Sequence, residues 1–510
     1  MSSKRLKNVL ERSNEYKSNF NNESVMERRR YKMSIFKSKL TIILILLIVL
    51  SAGYSQTEVS GLLNTNTTWD STGSPYIVTG NIGIMNATLS IGPGTEIIYG
   101  QGLQMKVLTG GTLIAKAEED KRINFIKNNT ASYCNYISFE DGFIGTTLAS
   151  DSTYLSGSII DNCTFSYSNG VPITSVSTIT ERLLISNSVF ENNNGAISYY
   201  GDLILVNNIF RSNLDGIQSH GNIHVDRNTF ENTKRWAIEA KKKVVVINST
   251  FHNNNGGIFY YYGVGEPGPE TVVVKNSTFS NNGCWSYSNT GGAIFATNTS
   301  GTIYYPSGVR IENCNFTSNI GGSIGGGAIY GTGTFLNCTF IDNKSQSTKY
   351  GGAVYGSGTF INCVFKNNSS NLGSAVYASS GSPVQFQYCN FESNTGVLIV
   401  GESSVNIDSC SFINNYSSLM QSSGNKIIKR STINGGGNIY DGGSEGYLNI
   451  SNSAIKNNSN PYLVRCKKFT SYKNKYSNNY GNICVIFDSL NLTGDIFYKN
   501  VLIHLEMEKC

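Results

Sequence analysis

Apolar and polar positions along the chain recur in a frame of about twenty-two residues, centred on a phenylalanine. The clearest copies place Phe340, Phe365, Phe391 and Phe412 at the centre. Equivalent positions are Phe165, Phe190, Phe210, Phe230, Phe251, Phe279 and Phe316 upstream, then Ile433, Ile455 and Tyr476 downstream, mostly 20 to 26 residues apart. Seven and five residues before the centre stand apolar residues, such as Val309 and Ile311 or Val405 and Ile407, which is the alternation of a half-buried strand. The alternation then slips. Asn precedes the centre by three in many copies (Asn162, Asn187, Asn207, Asn248, Asn276, Asn313, Asn337, Asn362), followed by a small residue and then the Phe. Two inward positions three apart violate a period of two, so the chain bends between them, and Asn tolerates the left-handed conformation such a bend needs. A second Asn three residues after the centre, as at Asn343, Asn368 and Asn394, predicts the next corner. A third strand then follows a Gly-rich approach at Gly195, Gly256, Gly291, Gly326 and Gly351.

Three short strands and three corners per repeat predict an all-β, single-stranded parallel β-helix, right-handed by the usual crossover rule. A repeat of this size cannot bury its apolar side alone, so stability must come from neighbouring coils. Residues 76–500 would supply roughly nineteen coils, a rod on the order of 90 Å long at about 4.8 Å per strand spacing. Residues 56–75 read as an N-terminal cap and 501–510 as a tail. Composition agrees: 53 Gly, 30 Tyr and 24 Phe against 8 Pro suit short strands and tight turns.

The net charge of +6 is confined to residues 1–39, which hold 11 Lys/Arg against 4 Asp/Glu and leave 29 against 30 in the rest. A neutral body excludes a nucleic-acid partner, which needs clustered basic residues. From Leu40 to Ala52 the chain is apolar, flanked by Lys37 and Lys39 and followed by small residues. Residues 40–55 therefore read as a signal peptide, with Met33 as the true start, or as a signal anchor that starts at Met1 and touches the membrane through residues 40–52. Both readings export the body to the outside of the cell or the outer face of its membrane. Sequons at Asn66, Asn86, Asn248, Asn276, Asn298, Asn343, Asn415 and Asn491 fit an exported glycoprotein.

The paired GGA[IV] and FxxN elements, as in Gly326 to Ile329 with Phe340 to Asn343, resemble the repeats of polymorphic outer membrane proteins of the chlamydial type. The resemblance covers roughly residues 160–480. It implies an adhesive, surface-displayed passenger, but the membrane-inserted barrel of that family is not visible here. LSIGPGTEI (Leu89 to Ile97) resembles the N-terminal coils of many right-handed β-helix proteins, a pectin lyase-like fold.

Candidate chemistry is sparse. Cys163, Cys314, Cys338, Cys363, Cys389 and Cys410 share the position two before the centre, where other copies carry Ser or Asn. That interchange predicts a buried thiol ladder rather than metal ligands. Cys134, Cys284, Cys466, Cys484 and Cys510 lie off the ladder and are the better disulfide candidates. No metal or cofactor is expected. Many β-helices cleave polysaccharides, but paired carboxylates or calcium-binding Asp clusters are not visible. SHGNIHVDR offers His220 and Asp226 as weak catalytic candidates, against a solvated coil surface. Phe295, Tyr330, Tyr355 and Tyr377 recur after the GGAI-type element and should stack in register, either as an outward strip that binds glycans or as part of the core. Trp285 stands in one of the longer loops. The leading expectation is a non-enzymatic exported protein whose partners are cell-surface or matrix glycans or proteins. A carbohydrate-active enzyme and a structural spacer remain the alternatives.

Overall fold

The computed structural model describes residues 56–500, apart from 263–270, 284–290, 301–302, 323–324, 347–349, 379–381, 461 and 481, together with 33, 37–39 and 505–507. The leader at 40–55, Trp285, Cys284 and Cys510 lie outside these residues. From Gln56 onward the chain is one unit, a parallel β-solenoid of roughly 18 turns against the nineteen expected. At about 4.8 Å per turn the stack is about 85 Å long. No described helix is long and apolar enough to cross a membrane.

Each coil contributes a strand to three parallel sheets. In one representative coil these are Leu203–Val206, Ile209–Arg211 and Ile217–Ser219. The next coil pairs residue for residue: Leu203 with Ile223, Phe210 with Phe230 and Ile217 with Ile238. Inward positions of the first sheet (Leu205, Val225, Val246), the second (Phe210, Phe230, Phe251) and the third (Ile217, Ile238, Ile258) meet in one tube-filling core. The second sheet's rings form a single column. Twelve consecutive Phe from Phe125 to Phe412 lie with centroids 4.5–5.1 Å apart and planes within 11° of parallel. Ile433, Ile455 and Tyr476 continue the column in register.

The corners explain the polar half of the repeat. The residue three before the centre is left-handed at every well-formed corner, with φ of 55° at Asn162, 50° at Asn187 and 53° at Asn337. The second corner differs from the sequence expectation. Its left-handed residue is two after the centre, as at Asn192 (φ 56°), Asn253 (φ 55°) and Asn367 (φ 55°). The Asn one residue later turns inward and is buried. The reason is hydrogen bonding: a corner takes its N–H and C=O out of sheet pairing, and buried backbone groups need partners. The Asn368 Oδ1 accepts from the Asn343 backbone N–H at 3.0 Å, while its Nδ2 donates to the Phe340 carbonyl at 2.9 Å and to Asn394 Oδ1 at 3.1 Å. This inner ladder runs unbroken through Asn254, Asn282, Asn319, Asn343, Asn368, Asn394 and Asn415. It stops at Gly436, which has no side-chain amide to offer, and Asn458 Oδ1 in the following coil is left without a partner.

Exposed corner asparagines form a looser outer ladder. Asn362 Nδ2 donates to Asn337 Oδ1 at 2.9 Å, and Asn337 in turn to Asn313. One inward position carries a charge. Lys426, in register with Val405 and Leu448, donates to the carbonyls of Gly401, Ser403 and Ser423 at 2.7–2.9 Å.

Asn368→Ala strips the Asn343 N–H and the Phe340 carbonyl of their partners and should cost about 2–4 kcal/mol in urea denaturation. Asn362→Gly keeps the left-handed corner and loses only an exposed bond, so a change under about 1 kcal/mol is expected in the same measurement.

Candidate functional site

All six cysteines two before the centre are buried thiols. Their role follows from the corner. In that column a side-chain acceptor receives the backbone N–H of the coil before it: Ser188 Oγ from Cys163 at 3.1 Å, Asn208 Oδ1 from Ser188 at 2.8 Å, and Cys410 Sγ from Cys389 at 3.4 Å. Cys, Ser and Asn interchange because each is small and able to accept. Among the described residues no group of three or more His, Cys, Asp or Glu could hold a metal ion. Cys134, expected to favour a disulfide, is a buried thiol donating to the Gly100 carbonyl at 3.2 Å. Cys466 is likewise buried and donates to the Lys468 carbonyl.

The sequons divide by the side of the wall they occupy. Asn66, Asn86, Asn248, Asn276 and Asn491 are exposed, whereas the side chain of Asn298 lies outside the described set. Asn343 and Asn415 require a correction. Both are rungs of the inner ladder, and Asn343 Nδ2 already donates to the Phe316 carbonyl and to Asn368 Oδ1. A glycan on either would have to displace the corner beneath it.

The recurring third-sheet aromatics stand outside the tube. Ile294, Ile329, Val354 and Val376 belong to the core, and the adjacent Phe295, Tyr330, Tyr355 and Tyr377 do not. Their ring centroids lie 4.7, 4.9 and 5.2 Å apart, Phe295 tilted by 39° to Tyr330 and the three tyrosines stacked on one another. Faces are thus consumed within the column, and only edges and hydroxyls reach outward. Phe295 and Tyr330 are 1% and 3% exposed, which removes them from a binding surface. Tyr355 and Tyr377 are half-buried, and Tyr350 packs across them, tilted 56° to Tyr377 at 4.6 Å. Burial, with Tyr355, Tyr350 and the Glu402 charge adding to it, pushes the Tyr377 phenol up to about 12. This hydroxyl-bearing patch is the part of the strip open to a ligand.

His220 and Asp226 are not brought together. His220 follows a third-sheet strand and stacks on Tyr200 at 3.8 Å. Asp226 ends a first-sheet strand, bound by Arg227 at 2.7 Å and by Asn248 Nδ2 at 3.0 Å. Asp226 is accompanied instead by His224, in a groove of 630 Å³ on the outer face of the first sheet. Burial lowers the His224 pKa, with Asp226 opposing it. Asp202, another carboxylate in the groove, immediately precedes the neighbouring strand Leu203–Val206. The two backbone positions are about 14 Å apart by strand geometry, and each carboxylate is held by its own partners, Asp202 by Asn222 and Asp226 by Arg227 and Asn248.

No family model matches the sequence, and no curated protein matches it. Among solved structures, the tailspike receptor-binding protein of bacteriophage Det7 aligns at 12% identity over 79% of this chain and 70% of its own, TM-score 0.21. The lacto-N-biosidase of Eubacterium ramulus aligns at 8% identity over 82% of this chain, TM-score 0.20, and the alignment spans 63% of that enzyme's length. An alginate lyase aligns at 9% identity over 82% of this chain and 97% of its own, TM-score 0.19. At such identities the likeness concerns the β-helix alone.

Burial lifts the Cys314 thiol from its ordinary 9.0 to about 12 and raises Cys163 as well. A raised folded value keeps its stabilising contribution below the unfolded pKa and loses it as pH climbs towards the folded one. Unfolding free energy should therefore be level up to pH 9.0 and fall between there and about 12 for Cys314, by about 1.4 kcal/mol per pH unit for each such thiol. Urea titrations of Cys314→Ser, which borrows the side chain of Ser277 one coil earlier, should show a shallower fall.

Proposed function

We propose that this chain is an exported, non-enzymatic surface-contact protein that engages glycans through the patch formed by Tyr350, Tyr355 and Tyr377. The observation that carries this reading is the placement of three half-buried tyrosines, braced by their own stacking, on the outside of a rigid wall. Edges and hydroxyls held in fixed register suit the C–H surfaces and hydroxyls of sugars, and preorganisation lowers the cost of binding. Export rests on the apolar leader at residues 40–55 and on the exposed sequons. An adhesive, surface-displayed role also accords with the resemblance to polymorphic outer membrane proteins. Against catalysis stand the placement of His220 and Asp226 on different sheets and the engagement of Asp226 by Arg227 and Asn248.

Tyr355→Phe/Tyr377→Phe preserves the stack and removes two hydroxyls. On a glycan array, retention should drop about tenfold or more with the denaturation midpoint unchanged. Undiminished retention would remove the patch as the contact, and no retention by the unaltered chain would leave a structural spacer. Release of reducing ends from a polysaccharide, abolished by Asp226→Ala, would replace this reading with an enzymatic one. N-terminal sequencing of the secreted product tests the leader.

A further inference from the structure

Charge is segregated along the chain. Residues 56–420 hold 18 Lys/Arg against 24 Asp/Glu, whereas 421–500 hold ten against four. The near-neutral body is thus the sum of two unlike parts. In the second part all four carboxylates stand away from the outer face of the second sheet. Asp441 and Glu445 belong to the third sheet and to the short segment after it, and Asp488 lies where the chain passes from the third sheet to the first. Asp495 is half-buried and accepts the Asn474 N–H at 2.8 Å.

The basic residues concentrate on one face. In the last three coils the outward positions of the second sheet are Ala454, Lys456, Lys475, Ser477, Ile496 and Tyr498. Upstream the same sheet pairs its charges from coil to coil, Glu191 with Arg211 and Lys366 with Glu392; here nothing acidic answers. The flanking corners add two cations. Lys473 and Lys499 occupy left-handed positions, φ 53° and 52°, where most coils use Asn because its side chain tolerates that conformation. The turn itself does not call for lysine. Among the described residues none of Lys456, Lys473, Lys475 and Lys499 has a carboxylate partner. Apolar tips stand among these cations: Ile496 is 61% and Tyr498 54% exposed. The Lys499 ammonium lies over the Tyr498 ring at 5.2 Å, and that of Lys473 over Tyr472 at 4.9 Å.

We infer that this face of the last coils docks on an anionic lipid surface. Ammoniums meet phosphate headgroups, the tyrosine rings sit at headgroup level, and Ile496 reaches the acyl boundary. A single strand of nucleic acid is disfavoured, because base stacking needs open ring faces and the two ammoniums cover those of Tyr472 and Tyr498. The surface is independent of the tyrosine patch, which belongs to the third sheet.

The test is vesicle sedimentation of the full chain, with phosphatidylcholine alone and with phosphatidylcholine and phosphatidylglycerol in equal parts. Lys456→Gln/Lys473→Asn/Lys475→Gln/Lys499→Asn should weaken binding to the anionic vesicles at least about a hundredfold, since each lysine near such a surface contributes about fivefold. Asn keeps the two left-handed corners, so the urea midpoint should hold. Ile496→Ser/Tyr498→Ser retains the charge and should cost about tenfold. Residues 1–39 are themselves basic, so residue-resolved acetylation supplies the local readout. Anionic vesicles should protect Lys473, Lys475 and Lys499 and leave Lys242 and Lys243 reactive. Tyr355→Phe/Tyr377→Phe should leave vesicle binding unchanged. Equal binding to neutral and anionic vesicles, no protection of the three lysines, indifference to the lysine or the Ile496→Ser/Tyr498→Ser variant, loss with Tyr355→Phe/Tyr377→Phe, or tighter binding of single-stranded DNA or polyglutamate would each overturn the inference.

Discussion

The structure depends on one constraint: every coil must hand its buried corner N–H groups to the coil that follows. Sheet pairing satisfies the strands, but corners lie outside it, and an interior amide without a partner costs about as much as a hydrogen bond is worth. The asparagine column three residues after most of the central Phe and the Cys, Ser and Asn column two before them meet that need from inside the tube. With the corners met, the apolar columns can stack without interruption, which is why the Phe rings keep near-constant spacing over twelve coils.

Because the constraint acts only at corners and along columns, chain can be added elsewhere at little cost. The Phe251–Phe279 and Phe279–Phe316 contacts, at 4.5 and 5.1 Å, are as regular as any, although 28 and 37 residues separate the partners. Loop closure grows only slowly with length. The wall thus acts as a fixed lattice on which insertions and outward columns vary. Both surfaces described above are of this kind, one a self-stacked aromatic column on the third sheet and one a lysine- and tyrosine-bearing face on the second.

Much of the fold was legible from the repeat. The Phe column and the corner before it follow from positions that recur, whereas the recurring third strand left open whether its Ile and Val or its aromatics face inward. The second corner was placed one residue late, because Asn is both a left-handed former and an amide donor and acceptor, and composition does not separate those uses. The same ambiguity touches the sequons: at Asn248 and Asn276 a corner Asn, a small residue and an outward Thr spell the motif for reasons of backbone geometry. The groove was missed, although it left a trace. LLI at 183–185, LILV at 203–206 and VVVI at 244–247 are apolar without alternation, the mark of strands covered on both faces. The aromatic strip was seen, but whether rings show faces or edges depends on their mutual stacking, which spacing cannot specify.

The inner asparagine ladder also has a sense of travel. Each backbone N–H points toward the later coil and each Oδ1 toward the earlier one, so amide dipoles add head to tail down the tube. The two ends of such a stack are chemically unlike. At the start a plain backbone donor suffices, as Ser168 provides for Asn193; at the far end an oxygen is required, as Asn500 provides for Asn479. A coil moved from one end to the other would therefore fit its neighbours in shape and still fail in chemistry, and the rod carries an intrinsic arrow that its three-sided outline conceals.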